Sequence, residues 1–532
     1  MYDVLIRQAR IIDGTGGDRY LADVALRGEK IARIGRIKEE EALRTVRGQG
    51  LVLAPGFIDM HGHSDIYLSE NSSFANKLMQ GITTEICGQC GLSMAPVNPL
   101  YMKELKSYAG FCDGDGLTQI QDWETLTKFN EYLTYAADLP LGANIACLMG
   151  QGTIRLAVMG FEDRPATPDE LEKMKALVRE GMDSGALGLS TGLIYAPGVY
   201  TPKEELVALC KVVHEYGGFY ASHIRNESDH ILEAVREAID IGRQSGVPVE
   251  ISHCKISGKG NWGQAEALLE LVEQANREGL RVSLDQYPYL AGATHLYSAM
   301  PPRFQEGGVS QMLHRLRQIR NFDALEEEIQ QPAGEWDSLI RDAGYEGILV
   351  TVGKKQMSIA QFACQQGLRP IQAAVQLILD SQGACPGTFF ITDEQDMLTI
   401  LRHDGTMIGT DAGAAIDQMG RHPRVYGCFP RILGRYVRER KVLTLETAIR
   451  KMTGLAAQTA GLENKGLLQE GYDADLVLFD PDTISDQADY DGIPKENRGM
   501  AAVFVNGEMA VENDRCLFTH SGRVIRKRRG SN

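Results

Sequence analysis

The sequence predicts a mixed α/β protein: a TIM-like (β/α)8 barrel joined to a small β-sandwich domain that is formed from both chain termini. Three observations lead to this expectation. Apolar runs of strand length alternate with amphipathic helical segments through the middle of the 532-residue chain, and β-rich segments stand at both of its ends. Most of the central runs end in polar or glycine-rich residues. Repeated strand-then-helix units are typical of a parallel sheet, and eight such units can close into a barrel.

The two ends of the chain have a similar β-rich pattern without helical spacing. Near the amino terminus, two short apolar runs flank Gly28-Glu29, which is typical of a β-hairpin. Comparable runs return after residue 470. We therefore expect residues 1–54 and 465–525 to form one small β domain, with the barrel inserted between them as residues 55–464.

Eight apolar runs in the middle of the chain are candidate barrel strands. They are Gly56–His63, Thr83–Cys90, Gly142–Met149, Ala186–Ser190, Gly218–His223, Val247–His253, Arg281–Tyr287 and Met407–Asp411. Amphipathic spacing predicts helices between several of them, at 169–185, 202–216 and 229–246. The gap between the seventh and eighth strands is unusually long. Its charged, helix-like pattern predicts an inserted helical subdomain at about 295–347.

Composition limits the classes of partner and compartment. The formal net charge of −16 argues against a nucleic-acid or anionic-membrane partner. No apolar run reaches membrane-spanning length, and the amino-terminal residues lack the pattern of a signal peptide. The ten cysteines are scattered, which favours a reducing compartment. We expect a cytoplasmic protein that acts on a small molecule, and composition leaves a homo-oligomer open.

Metal-ligating residues stand at the predicted strand ends. His61 and His63 are two residues apart, so their side chains point to the same side of the first strand. Four further residues of ligand type end later strands, namely Cys90, His223, His253 and Asp411. The carboxyl ends of barrel strands meet at one rim, where imidazole, thiolate and carboxylate groups suit Zn²⁺ with an open coordination position. This pattern predicts a catalytic zinc site.

Simpler interpretations of the same residues remain open from the sequence. Cys87 and Cys90 form a Cys-x-x-Cys pair, which also occurs in redox sites and in zinc knuckles, although no second such pair exists here. Asp411 could cap a helix, Tyr287 could be a core residue, and Arg424 could form a surface ion pair.

Several motifs along the chain carry a family resemblance. They are Pro-Gly-Phe-Ile-Asp-Met-His-Gly-His at 55–63, Gly-Gln-Cys-Gly at 88–91, Gly-Leu-Ile-Tyr-Ala-Pro-Gly at 192–198, Ser-His-Ile-Arg-Asn-Glu at 222–227, Ile-Ser-His-Cys-Lys at 251–255, Asp-Gln-Tyr-Pro-Tyr at 285–289, Gly-Thr-Asp at 409–411 and His-Pro-Arg at 422–424. With these motifs the chain resembles the D-aminoacylase (N-acyl-D-amino-acid deacylase) family of the amidohydrolase superfamily over nearly its whole length.

The resemblance implies a particular metal centre. Many binuclear amidohydrolases bridge two metals with a carboxylated lysine on the fourth strand, whereas the fourth predicted strand here, Ala186–Ser190, has no lysine. D-aminoacylases use a cysteine ligand instead, and Cys90 stands at the matching position. By this resemblance, one zinc ion is held tightly and a second site is weaker. The tight site would use Cys90, His223 and His253, and the weaker one His61, His63 and Asp411.

The resemblance also implies an activity, the zinc-dependent hydrolysis of the amide bond of N-acyl-D-amino acids. Asp411 would be the general base that takes a proton from water and returns it to the leaving amine. The residues that match those gripping the substrate carboxylate are Lys255, Tyr287 and Arg424, and Lys255 also shares a strand face with His253. Tyr195 would line the side-chain pocket.

Two other functions are compatible with parts of the pattern. A cyclic-amide hydrolase related to dihydropyrimidinase or dihydroorotase would share the barrel, but such enzymes are expected to carry the bridging lysine. A non-catalytic scaffold relative would be expected to lose metal ligands, whereas this chain keeps the ligand types that the resemblance requires.

Overall fold

Strands and helices alternate through the middle of the chain in the computed structural model, which describes residues 1–109, 123–332, 334, 336–353, 355–414 and 422–528. The amino-terminal half contains the strands β1 (Tyr2–Ile11), β2 (Tyr20–Arg27), β3 (Lys30–Gly35), β4 (Ala42–Arg47), β5 (Val52–Pro55), β6 (Phe57–Asp59), β7 (Ile82–Cys87), β8 (Asn144–Cys147), β9 (Met149–Gly150), β10 (Gly188–Gly192), β11 (Phe219–His223) and β12 (Val249–Ile251). The remaining strands are β13 (Val282–Gln286), β14 (Ala291–His295), β15 (Ile348–Val352), β16 (Lys355–Ser358), β17 (Pro386–Phe390), β18 (Thr406–Ile408), β19 (Leu476–Phe479), β20 (Met500–Val505), β21 (Glu508–Glu512), β22 (Arg515–Cys516) and β23 (Val524–Ile525).

The helices lie mainly between the central strands. They are α1 (Ala75–Leu78), α2 (Met102–Ala109), α3 (Phe129–Ala137), α4 (Gln151–Met159), α5 (Pro168–Asp183), α6 (Lys203–Glu215), α7 (Ile231–Ser245), α8 (Ala265–Arg277), α9 (Pro302–Gln305), α10 (Gly308–Arg317), α11 (Phe322–Gln330), α12 (Leu339–Ala343), α13 (Ile359–Gln366), α14 (Pro370–Asp380), α15 (Glu394–Arg402), α16 (Arg424–Arg431), α17 (Leu445–Met452) and α18 (Gly454–Ala460). A π-helical segment, Ile432–Glu439, continues α16. The predicted mixed α/β fold is therefore confirmed.

The central strands form two adjoining parallel sheets. One has the order β6-β7-β8-β23 and the other the order β9-β10-β11-β12-β13-β18. Backbone hydrogen bonds join the two sheets at two places. The Met60 N–H donates to the Ile408 carbonyl at 3.2 Å, and the Leu187 N–H donates to the Cys147 carbonyl at 2.9 Å. Each of the eight sequence runs overlaps one of these strands, with boundaries that differ by up to a few residues. Most of the candidate metal ligands lie in the loops that follow the strands.

Both ends of the chain contribute to one nine-stranded sheet. Its order is β22-β21-β20-β19-β5-β1-β2-β3, and β4 pairs with the first half of β1. The sheet covers an apolar cluster that includes Ile6, Leu53, Leu476 and Phe504. β5 leads directly into β6, so this sheet is continuous in sequence with the first central strand.

A long insertion separates β13 from β18. It contains a four-stranded sheet in the order β14-β17-β15-β16 and the helices α9–α14, which surround their own apolar cluster. Helices α9–α12 lie within the predicted interval 295–347, of which residues 333 and 335 fall outside the described residues. The sheet strands extend the insertion on both sides of that interval, from Ala291 to Phe390.

A helix that crosses a bilayer has to be both long and apolar. Among the described residues, no helix meets both conditions.

Candidate active site

Cys90 lies at the centre of a cluster of three histidines, and the four residues come from four different strand ends. Its Sγ is 3.3 Å from His61 Nε2, 3.7 Å from His223 Nδ1 and 3.5 Å from His253 Nε2. Cys90 follows β7, His61 follows β6, His223 ends β11 and His253 follows β12. All four residues are buried. The structure therefore brings together residues that span more than 160 positions of the sequence.

These distances fit a tetrahedral zinc site. With Zn–S of about 2.3 Å and Zn–N of about 2.0–2.1 Å, sulfur and nitrogen ligands lie about 3.5 Å apart. Burial, together with the neighbouring His253, lowers the pKa of His223 well below its usual value. Burial and the Lys255 charge do the same for His253. Neutral imidazoles are the form that binds a metal, so Cys90, His223 and His253 have the donor chemistry that Zn²⁺ requires.

A second group of ligand atoms adjoins the first. His63 Nε2 lies 3.2 Å from Asp411 Oδ1, and His61 Nε2 lies 3.6 Å from the same oxygen. Ligand atoms of His61, Cys90, His253 and Asp411 all lie within 4.8 Å of one another. The two groups of ligand atoms are therefore contiguous, and Cys90 and His253 lie within reach of both.

The backbone at the cluster is held in uncommon conformations. Cys90, His253 and Asp411 have φ values of 53°, 34° and 50°, which are unfavourable for residues other than glycine. Such strain persists only where the surroundings enforce it, and it is concentrated at functional sites. A side chain on Gly62 would collide with Glu85 Oε1 at 1.9 Å, so the short spacer between His61 and His63 has to be glycine.

Glu227 is a functional residue that the sequence reasoning missed. Its Oε1 accepts a hydrogen bond from Lys255 Nζ at 2.5 Å and lies 3.1 Å from His253 Nδ1. Because His253 Nε2 faces Cys90, Nδ1 is the nitrogen on the far side of the ring, where it faces both Glu227 Oε1 and, at 2.9 Å, Lys255 Nζ. A carboxylate behind a metal-binding histidine fixes its orientation and raises its basicity. The available signal was the glutamate of the motif at 222–227.

Asp285 has the same relation to His61. Its Oδ2 lies 3.1 Å from His61 Nδ1, which leaves Nε2 directed at Cys90 and Asp411. Burial alone would lower the pKa of His61, but the facing Asp285 carboxylate outweighs it and the net pKa is raised. Asp285 belongs to the motif at 285–289. It stands two residues before Tyr287, and this spacing, which places two strand residues on the same face, is the sequence signal that could have pointed to it.

The residues expected to grip a substrate carboxylate lie side by side. Lys255 Nζ is 5.9 Å from the centre of the Tyr287 ring, and the Arg424 guanidinium is 4.9 Å from it. The Tyr287 hydroxyl is buried and has no hydrogen-bond partner among the described residues. Buried hydroxyls are normally paired, so this one has the character of a donor reserved for a ligand.

Arg424, like Lys255, also has partners within the protein. Arg424 Nη1 donates to Asp411 Oδ2 at 2.6 Å, and Arg424 Nη2 donates to the Ala293 carbonyl at 3.2 Å. Burial would raise the pKa of Asp411, but Arg424 and the adjacent histidines hold it well below its usual value. The Asp411 carboxylate is therefore ionised.

The cluster opens into a cavity of ≈ 360 Å³. Tyr195 lies at one side of it, with its ring 5.1 Å from that of His223 and its hydroxyl 3.5 Å from Thr294 Oγ1. The far wall comes from the insertion and includes Leu349, Thr351 and Pro386. The wall thus depends on strands that the sequence pattern did not predict.

This arrangement is chemically that of a metal-dependent hydrolase with a site for an anionic group. Residues 45–319 and 342–511 match the profile of a family described as the amidohydrolase family, and the chain belongs to it.

Within that family the chain is similar to deacylases of D-amino acids, which confirms the resemblance seen in the sequence. The D-aminoacylase of Alcaligenes xylosoxydans xylosoxydans is 36% identical over 527 residues, which cover 98% of this chain and 97% of that protein. The N-acyl-D-aspartate deacylase of the same organism is 34% identical, with 98% and 95% covered. Its N-acyl-D-glutamate deacylase is also 34% identical, with 99% and 96% covered.

Solved structures give the same grouping. A crystal structure of D-aminoacylase has a TM-score of 0.82 and 34% identity, covering 99% of this chain and 100% of that one. The N-acyl-D-glutamate deacylase of Bordetella bronchiseptica, solved with zinc and a phosphonate inhibitor, has a TM-score of 0.80 and 31% identity, covering 99% of each chain. A dihydropyrimidinase from Brevibacillus agri has a TM-score of 0.57 and 13% identity over 99% of each chain, which reflects the fold alone.

Proposed function

We propose that this protein is a zinc-dependent hydrolase of N-acyl-D-amino acids that releases a carboxylate and a free D-amino acid. The observation that carries the proposal is the meeting of Cys90, His223 and His253 beside an ionised Asp411 and a buried, unpaired Tyr287 hydroxyl. The relatives that share the chain's full length act on acylated D-amino acids by name. Bound zinc would supply a Lewis acid and lower the pKa of a water molecule toward about 7.

The proton transfers are assigned to Asp411. Its carboxylate would take a proton from the attacking water and deliver it to the leaving amine nitrogen, so that one group serves as base and then as acid. Arg424 keeps Asp411 ionised at the start of the reaction and fixes one of its oxygens at 2.6 Å. His63, 3.2 Å from the other oxygen, restricts the remaining rotation of the carboxylate.

The substrate carboxylate is assigned to Lys255, Tyr287 and Arg424. Charge-assisted hydrogen bonds from an ammonium and a guanidinium are strong in a partly desolvated pocket, and the unpaired Tyr287 hydroxyl supplies a further donor. With the carboxylate fixed at these residues and the scissile carbonyl near Cys90, Tyr195 and the insertion are the cavity walls left to contact the amino-acid side chain. The preference for D-amino acids is proposed from the relatives.

We propose one tight zinc position at Cys90, His223 and His253. A weaker second position would use His61, His63 and Asp411, with Cys90 shared between the two because it contacts both groups. Thiolate and imidazole are preferred ligands of Zn²⁺, which supports zinc at the tight position.

The remaining structural assignments are proposals of the same kind. We interpret the two adjoining parallel sheets as one closed (β/α)8 barrel of residues 55–464, supported by the hydrogen bonds at Met60 and Leu187. Residues 1–54 and 465–525 are interpreted as the separate β domain, a small β-sandwich, since all of their strands except β23, which pairs with β8 in the central sheet, share one sheet. The interval of about 295–347 is interpreted as the helical part of the inserted subdomain.

A cyclic-amide hydrolase is the second candidate within the family. The fourth central strand, β10, reads Gly-Leu-Ser-Thr-Gly and offers no lysine to bridge two metals. The carboxylate-binding cluster around Tyr287 also has no purpose for a cyclic amide. A non-catalytic scaffold is disfavoured because all six candidate ligands are assembled at one site.

The test is an assay of zinc-loaded protein with matched N-acetyl-D- and N-acetyl-L-amino acids and with hydantoin and dihydrouracil. We expect turnover of the D-forms alone, with loss of activity after chelation and recovery with zinc. Turnover confined to L-forms or to the cyclic amides would contradict the proposal. Stoichiometric zinc without hydrolysis of any acylated amino acid would support the scaffold instead.

A further inference from the structure

A buried lysine outside the cavity contacts the loop that carries Asp411. Lys77 lies on α1, and its side chain is fully buried. Its Nζ donates hydrogen bonds to Asp59 Oδ2 at 2.7 Å, to Thr410 Oγ1 at 2.8 Å and to the Ala412 carbonyl at 2.7 Å. An ammonium group has three donors, so these three contacts use all of them.

Two of the Lys77 hydrogen bonds are made to the residues on either side of Asp411. Thr410 precedes it and Ala412 follows it, so both neighbours of the proposed base are tied to one ammonium group. Thr410 is further held by Asp59, which accepts from its backbone N–H at 2.8 Å and from its hydroxyl at 2.6 Å. Asp411 itself donates its backbone N–H to the His61 carbonyl at 2.7 Å.

The backbone conformation of Asp411 is unfavourable and therefore depends on these hydrogen bonds. Asp411 has a φ of 50°, a left-handed conformation that costs about 1–3 kcal/mol for a residue other than glycine. Without the anchors on either side, the loop would relax toward a commoner conformation and move the carboxylate. Since Ala412 O also accepts from the His63 N–H at 3.1 Å, the same relaxation would disturb the first strand end.

We propose that Lys77 is a positioning residue, which holds the 410–412 loop so that the Asp411 carboxylate faces the metal cluster. The inference rests on the proposed function, because it assigns to Lys77 an effect on the residue that transfers the proton. Lys77 does not touch the cavity, so it is not itself a catalytic residue.

The charges around Lys77 agree with this role. Glu85 Oε2 lies 3.3 Å from Nζ in addition to Asp59, so the ammonium faces two buried carboxylates. Burial alone would lower the pKa of Lys77, but Asp59 and Glu85 outweigh it and raise the pKa to about 12. A buried ion pair adds little stability over apolar residues of the same size, whereas it fixes geometry through directed hydrogen bonds.

The first test replaces Lys77 by methionine, which keeps the length of the side chain and removes its donors. We expect kcat to fall about 10–100-fold, since a displacement of about 1 Å of a reacting group costs up to about 10²-fold. KM and the zinc content should stay near the wild-type values. Wild-type kcat in a folded, zinc-loaded Lys77→Met protein would overturn the proposal, and so would a loss of thermal stability with no change in kcat.

Lys451→Met is the matched control. Lys451 is also fully buried and donates to backbone carbonyls, those of His403 and Thr406, but at the opposite end of β18 from Asp411. Removing it should cost stability without changing kcat by more than about twofold. An equal fall of kcat in both variants would show that any buried lysine beside β18 has this effect, and the assignment to Lys77 would be wrong.

A second pair of variants decides the question if Lys77→Met does not fold. Thr410→Ser keeps the hydroxyl that links Lys77 to Asp59, whereas Thr410→Val removes it and keeps the shape. We expect kcat of the valine variant to fall at least about fivefold at unchanged KM, and the serine variant to stay within about twofold of wild type. Equal kcat in the two variants would overturn the proposal.

A structural readout separates this proposal from the proposed function. If the wild-type protein hydrolyses no N-acyl-D-amino acid, the function fails, and crystal structures of the zinc-loaded wild type and Thr410→Val then decide the role of Lys77. A displacement of the Asp411 carboxylate by more than about 0.5 Å in the variant supports positioning. An unmoved carboxylate contradicts it.

Discussion

Glu227→Gln is the sharpest test of how the metal cluster is held. One oxygen of Glu227, Oε1, serves both His253 Nδ1 at 3.1 Å and Lys255 Nζ at 2.5 Å. Glutamine keeps the shape of the side chain but removes the negative charge. His253 Nδ1 then no longer faces a negative charge, and the uncompensated Lys255 charge lies 2.9 Å from the same ring nitrogen. Both changes make His253 a poorer zinc ligand.

The expected loss of zinc affinity is about 10–100-fold, the usual effect of removing the hydrogen-bond partner of a metal-binding histidine. This corresponds to about 1.4–2.8 kcal/mol of binding free energy. The measurement is an equilibrium competition for zinc between the protein and a chelator of known affinity at fixed pH. Circular dichroism on the same samples establishes that the variant is folded.

Glu205→Gln is the control for the loss of a buried charge. Glu205 is also buried in an ion pair, with both of its oxygens accepting from Arg155 Nη1 at 2.8 Å, but it has no contact with the metal cluster. We expect this variant to lose stability and to keep wild-type zinc affinity. If Glu227→Gln binds zinc within about twofold of wild type while folded, the pairing of Glu227 with His253 does not tune the site.

Three further predictions follow from the site and its surroundings. Asp411→Asn should lower kcat by about 10²–10⁴-fold with the tight zinc still bound, as measured by turnover and metal analysis; near-normal turnover would remove Asp411 from proton transfer. Cys90→Ala should abolish tight zinc binding and with it hydrolysis, and a variant that still retained one zinc per chain through dialysis would contradict the assigned ligand set. Burial lowers the pKa of Lys451 to about 8, so between about pH 8 and about pH 10.4 the folded state binds fewer protons than the unfolded state and stability should rise with pH. The wild type should therefore gain up to about 3 kcal/mol over Lys451→Met across this window in urea unfolding, and a difference that is independent of pH would show that Lys451 is not perturbed.

The candidate ligands could be found in the sequence because each stands at the end of a short apolar run. The spacing of His61 and His63 predicts a shared face, and the alternation of strands and helices predicts that distant strand ends meet. The structure places both histidines beside Asp411, which ends the last of the eight runs. Patterns of this kind are local, so they can be recognised in a single chain.

The partners behind these ligands could not be found in the same way. Glu227 is an unremarkable acidic residue until the fold sets it against His253, and its own backbone N–H is fixed by Asp337, 110 residues away. Nothing in the local sequence marks Lys77, yet it is buried against Thr410 at a separation of 333 residues. No periodicity marks either contact.

The sequence by itself indicated the alternation of central strands and helices, the candidate metal ligands and the family to which the chain belongs. Only the tertiary structure decided which ring nitrogen of each histidine faces Cys90, which carboxylates stand behind His61 and His253, and that strands of the insertion close the cavity. The reason is physical: hydrophobic periodicity and turn residues act over a few positions, whereas hydrogen-bond direction and burial of charge depend on side chains brought together by long-range packing.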